Sequence, residues 1–164
     1  MTYNRNQYRK FVLCTVVFLL AIFCSSCQEE QNTNTLPTTV YEDNICKIVA
    51  EDFTDSNEPG YTYYLPLTFE NKSNEAFIVG SGYGTMNGEE VGIVCIPESG
   101  KPENDYEFVV MPNETITETF HVNYAMTSIR NIDKVKTIEA KFVLYNTDFS
   151  EEILNTGNVI INVK

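Results

Sequence analysis

Beyond Val40 the chain alternates. Apolar and polar side chains take turns in short runs, and Gly, Asn, Asp and Pro break those runs at close intervals. A period of two places every second side chain on one face of a strand, whereas a helix repeats every 3.6 residues. The clearest run is Thr137 to Tyr145, with Ile138, Ala140, Phe142 and Leu144 on one face and Glu139 and Lys141 on the other. A chain patterned this way folds into short strands, each hiding one face.

Seven or eight such strands are predicted. The first spans Ile45 to Phe53. The second, Tyr61 to Glu70, aligns Tyr63, Leu65, Leu67 and Phe69. Pro66 lacks an N–H donor, which predicts an edge position or a bulge there. A third strand covers Ala76 to Tyr83. Asn87-Gly88 is the strongest hairpin signal in the chain, because both positions tolerate positive φ. Val91 to Ile96 follows, then a loop rich in Pro, Gly and acids from Pro97 to Asp105. Tyr106 to Met111 and Thr115 to Asn123 flank a Pro112-Asn113 turn, with Ile116, Phe120 and Val122 inward. Residues 124 to 133 break the alternation and suit one helical turn. Asn155-Thr156-Gly157 reads as a turn before a last strand, Val159 to Val163. No long helix and no internal repeat is visible. The fold class is all-β, a β-sandwich, with a barrel as the alternative.

The 164 residues suffice for one core and not for two ordinary domains. Charge divides at residue 27. The first 26 residues hold no acid and three basic residues, Arg5, Arg9 and Lys10. All 23 acids lie beyond, against eight basic residues, so that part is close to −15 where the whole chain is −12. This balance opposes sequence-independent nucleic-acid binding, which needs clustered Lys and Arg. Five cysteines are too few for a small disulfide scaffold.

The basic start leads into Phe11–Phe23, thirteen residues without a charge. A membrane-spanning helix needs about 20, so the run has the length of a signal-peptide apolar region. It ends Cys24-Ser25-Ser26-Cys27. Small residues before a cysteine resemble a bacterial lipoprotein signal, although Cys24 stands where Leu is usual. The resemblance implies cleavage after residue 26 and lipidation of Cys27. Two or more acyl chains anchor a protein stably. Gln28, Glu29 and Glu30 follow and resemble the acidic export tag of Bacteroidota-type surface lipoproteins. The expected location is the outer membrane of the cell envelope, with surface display. Residues 28 to 39 are polar and aperiodic and read as a disordered tether, which at full stretch reaches about 40 Å. The expected organisation is a signal peptide over 1–26, a lipidated cysteine and linker over 27–39, and a sandwich domain over 40–164.

Four stretches carry a further resemblance. They are Phe69-Glu-Asn-Lys-Ser-Asn-Glu-Ala, Thr85-Met-Asn-Gly-Glu-Glu-Val, Val110-Met-Pro-Asn-Glu-Thr and Ile138 to Asp148. Together they resemble small extracellular immunoglobulin-like accessory domains of bacterial envelope proteins. These are turn motifs. They imply a fold and bring no catalytic residue.

The residues with chemistry to offer are few. Cys46 and Cys95 sit on predicted strands in an exported, oxidising setting. One reading is an inter-sheet disulfide, worth about 4 kcal/mol for a loop of about 50 residues; the other is two buried thiols. His121 is the only histidine and reads as an ordinary outward strand residue. Asp43, Glu51, Asp52, Asp55 and Glu58, and then Glu98, Glu103, Asp105 and Glu107, match no calcium loop and read as solvated acidic faces. No metal, cofactor or catalytic group is expected. Among ten tyrosines, Tyr64 and Tyr145 alternate outward and are the candidate ligand-binding residues. The expected role is a non-catalytic binding or accessory module that recognises a protein or a glycan. The alternative is a structural or immunity-type partner of a basic protein, favoured by the negative charge. A small glycan-active hydrolase is the least favoured reading.

Overall fold

In a computed structural model, the described residues are 36–57, 60–80, 82–97 and 107–163. They form β1 (Thr38–Glu42), β2 (Cys46–Ala50), β3 (Thr54–Asp55), β4 (Thr62–Asn71), β5 (Phe77–Val79) and β6 (Gly82–Met86). After these come β7 (Glu89–Cys95), β8 (Phe108–Val110), β9 (Thr115–Asn123), one 3₁₀ turn (Ile132–Lys134), β10 (Thr137–Tyr145) and β11 (Glu152–Asn162). The fold is all-β, and every pairing is antiparallel. Hydrogen bonds run without a break through β1-β2-β4-β9-β7-β6-β10-β5-β8, with β11 beside β10 and β3 beside β4.

This path doubles back on itself as a sandwich. The inner face of β4 carries Tyr63, Leu65, Leu67 and Phe69, all within 1% of complete burial. Phe69 meets Phe142 of β10 at 5.7 Å and Phe108 of β8 at 5.3 Å, both edge-on, and Phe120 of β9 meets Phe142 at 5.9 Å. The β4–β9 layer therefore faces the β8–β10 layer through interlocked rings. Alternation also turns Glu118 inward on β9, where it is 5% exposed.

β9 and β10 have the bounds their alternation predicts. Asn87 and Gly88 take φ of 51° and 85°, the paired positive values of a tight hairpin between β6 and β7. Other expectations need correction. Among the described residues there are eleven strands where seven or eight are expected, because several predicted runs are divided between partners. Ala76 to Tyr83 splits into β5, which pairs with β8, and β6, which pairs with β7. Thr38 and Thr39, expected in the tether, belong to β1. β-Branched threonines gain a partner strand in β2, and Leu36, Val40 and Tyr41 rest on the core.

Pro66 lies inside the sheet. Its carbonyl accepts from Glu51 N–H on the side where β2 ends and β3 begins, so the missing donor faces an interruption between those strands. Asn155-Thr156-Gly157 is a bulge within one long strand. The β10–β11 register shifts between Lys141 and Val143, and Gly157 takes φ of 65°.

Asn71 ties one end of the sandwich together. It is 1% exposed. Its amide donates to the carbonyls of Glu75 (2.8 Å) and Val110 (3.0 Å), and its side-chain oxygen accepts from Ser73 N–H and Oγ. Its backbone pairs with Glu114 and Asn113. The side chain has no unused hydrogen-bonding capacity. Asn71→Ala leaves two carbonyls without this donor and is expected to cost about 2–4 kcal/mol, read as a lower urea midpoint at unchanged slope. A midpoint equal to the parent's would show that the amide does not hold this end.

Candidate functional site

The most exposed aromatic ring of the sheet is Tyr83 of β6, at 86%. Its position explains this. Across the ladder it faces Gly92 of β7, which has no side chain to cover it. On the other side the pairing of β6 with β10 stops at Gly84–Ala140, one residue short of Tyr83. The ring therefore stands at the mouth of a gap in the outer face.

That gap is an open groove of about 310 Å³. Gly84 and Ala140 contribute to its lining, with Thr85 and Glu90 toward β7 and Glu139, Lys141 and Asn158 toward β11. Gly84 is required by the backbone, since a Cβ there would overlap the Glu139 carbonyl oxygen and lie 2.5 Å from Ile93 Cδ1. Asn158 donates from its amide to Glu139 Oε1 at 2.5 Å. Two carboxylates, one ammonium and one amide thus surround an uncovered ring. Groove size falls at the small end for ligand sites.

The structure does not join Tyr64 and Tyr145. Tyr64 is on β4, half-buried, with its ring 4.8 Å from that of His121. Tyr145 is on β10, half-buried, 5.6 Å from Phe149. Each lies against a neighbouring ring, and they belong to different layers. Tyr83 was visible in the sequence as an aromatic between two glycines, but Gly92 and the end of the β10 pairing emerge only from register.

A second aromatic group closes one end of the sandwich. Tyr63 stacks on Tyr124 at 4.2 Å. The Arg130 guanidinium lies 5.4 Å from the centre of Tyr61 and 5.8 Å from that of Tyr124. It also donates to the carbonyls of Tyr124, Ala125 and Ile129. Its bonds go to its own loop, which it locks in place. Burial, then Tyr124 and Asp55, pushes the Tyr63 hydroxyl up to about 12.

Cys46 and Cys95 are both buried and are not bridged to each other, which corrects the disulfide reading. Register gives the reason. Cys46 pairs with Asn71 on β4, whereas Cys95 pairs with Phe120, which pairs with Leu65 on β4. Six positions along β4 and three strand spacings separate them, on the order of 20 Å, against a bridging limit of about 7 Å. Burial pushes both thiols up to about 12, with Asp43 adding to the effect at Cys46 and Glu118 at Cys95.

The acids near β1 are not simply a solvated face. Asp43 accepts from the N–H groups of Ile45 and Cys46, both at 2.8 Å, and from the Tyr41 hydroxyl. Burial alone would raise its carboxyl, but these donors outweigh it and hold it below the usual range. Glu51 accepts from Thr68 Oγ1 at 2.7 Å. Among the described residues no three His, Cys, Asp or Glu side chains group as metal ligands. Cys27, Gln28, Glu29 and Glu30 lie outside the described residues, as do Glu58, Glu98, Glu103 and Asp105.

No family model matches the chain, and no curated protein does. Among solved structures it is similar to the crystal structure of a FixG-related protein from Vibrio parahaemolyticus. That likeness has 11% identity and a TM-score of 0.39 over 75% of this chain and 99% of the other.

Two expectations follow. At pH 8 the native thiols should react slowly with iodoacetamide, because only the thiolate attacks; in urea both should label without reductant, and a need for reductant would restore the bridge. Gly84→Ala should cost about 1–3 kcal/mol through backbone displacement, measured by thermal unfolding, whereas Gly60→Ala, in open space, should cost far less.

Proposed function

We propose that this chain is an envelope lipoprotein. A lipid on Cys27 holds it at the outer membrane, and its β-sandwich serves as a non-catalytic binding or accessory module. The N-terminal pattern supports the anchor: a basic start, a thirteen-residue uncharged run and Cys24-Ser25-Ser26-Cys27. Gln28-Glu29-Glu30 supports export to the surface. The observation that carries the binding role is the groove beside Tyr83, where an exposed ring and mixed polar groups are held on a paired β-sheet. Elsewhere the well-placed polar side chains, Asn71, Asp43 and Arg130 among them, serve turns and loops.

Labelling of producing cells with an alkynyl palmitate analogue tests the anchor. The parent chain should take up label and Cys27→Ser should not; label on Cys27→Ser, or none on the parent, would overturn it. Protease added to intact cells should remove the domain, and replacing Gln28, Glu29 and Glu30 with Ala should protect it. Full protection of the parent would withdraw surface display while leaving the anchor in place.

A further inference from the structure

We propose that the groove beside Tyr83 binds a neutral saccharide. Tyr83 supplies the stacking face, and Glu90, Glu139, Lys141 and Asn158 engage the hydroxyls. This rests on the reading of the domain as a binding module and specifies its ligand.

The ring comes first. A tyrosine ring exposed at 86% leaves apolar area in water that sheet packing could have covered. Its face is the negative side of a quadrupole, which suits the polarised C–H groups on one face of a sugar ring. Gly92 opposite and the lost β10 pairing leave that face open.

The polar groups choose the ligand. A carboxylate only accepts, an ammonium only donates, and an amide does both. A sugar hydroxyl also does both, so the set around Tyr83 can satisfy several hydroxyls at once. A cationic peptide would meet Lys141, and an anion would meet Glu90 and Glu139. A neutral polyol meets neither repulsion. Asn158 already orients Glu139. The walls are paired strands, and Gly84 is fixed against the Glu139 carbonyl, so little ordering remains for binding to impose. An open groove of about 310 Å³ admits a short stretch of a chain that continues past both ends.

The test uses the full chain in detergent micelles on an array of neutral gluco-, galacto-, manno- and xylo-oligosaccharides, with polyuronate fragments and a lysine-rich peptide beside them. At least one neutral series should retain the protein. Tyr83→Ala should weaken retention about ten-fold or more, and Tyr83→Phe, which keeps the ring, should stay within a few-fold of the parent. Tyr64→Ala should bind as the parent does. Tyr83→Ala should melt at the parent's temperature because its ring is exposed, so lost binding would not reflect lost folding. Retention on no neutral series, or retention that Tyr83→Ala leaves intact, would overturn the proposal. Tyr83-dependent capture of the lysine peptide instead would overturn the saccharide and keep the binding module. Loss of every Tyr83-dependent capture would end both.

Discussion

Phe69 is the side chain on which the sandwich turns. It lies on the strand between β2 and β9, and its ring meets Phe108, Phe120 and Phe142. The contact fixes the separation of the layers and the side of β4 that faces inward. A strand has only two faces, so a one-residue slip of β4 would bring Tyr64, Pro66 and Thr68 inside and expel five buried side chains. Once β4 is set, its neighbours have no choice of parity. Ile48 opposite Phe69 and Phe120 opposite Leu65 must also face the core, and both are buried. Ring packing between layers thus dictates register within a layer.

The turns of the sandwich are held by side-chain amides. Asn71 joins β4 to β8 and to the turn before β9. Asn87 does comparable work at its hairpin: its side-chain oxygen accepts from Lys136 and Thr137 N–H, and its amide donates to the Lys134 carbonyl. Asn146 accepts from Glu151 N–H and donates to Ser150. Backbone groups in turns have no ladder partner and need side chains to satisfy them. Each of these asparagines lies where one strand hands over to the next. These asparagines therefore form joints of the fold.

Legibility in the sequence followed the range of the interaction. Strands β9 and β10 were readable because alternation is local, and Asn87-Gly88 because its φ values are a property of two residues. Pro66 and Gly157 were read as local signals too, yet each depends on a partner strand: one faces an interruption between β2 and β3, the other a register shift against β10. The thiols fail for the same reason. Two inward cysteines on strands say nothing of how many strands lie between, and here three spacings do. Tyr64 and Tyr145 point outward as expected, but outward is not uncovered, because His121 and Phe149 lie beside them.

Tyr83 brings these threads together. Its exposure comes from where β6 changes company. Close approach of β6 to β10 at Gly84 admits no side chain, and that approach ends as Tyr83 begins. A larger residue at 84 would push the strands apart, and a side chain at 92 would shade the ring. The same glycines that weaken a strand by conformational entropy therefore create a concave part of the outer face beside β6. A β-sandwich has little relief of its own, since its pleated faces are filled in alternation. Relief arises where pairing lapses, and the most exposed aromatic ring among the described sheet residues stands beside such a lapse, with no loop needed to build the groove.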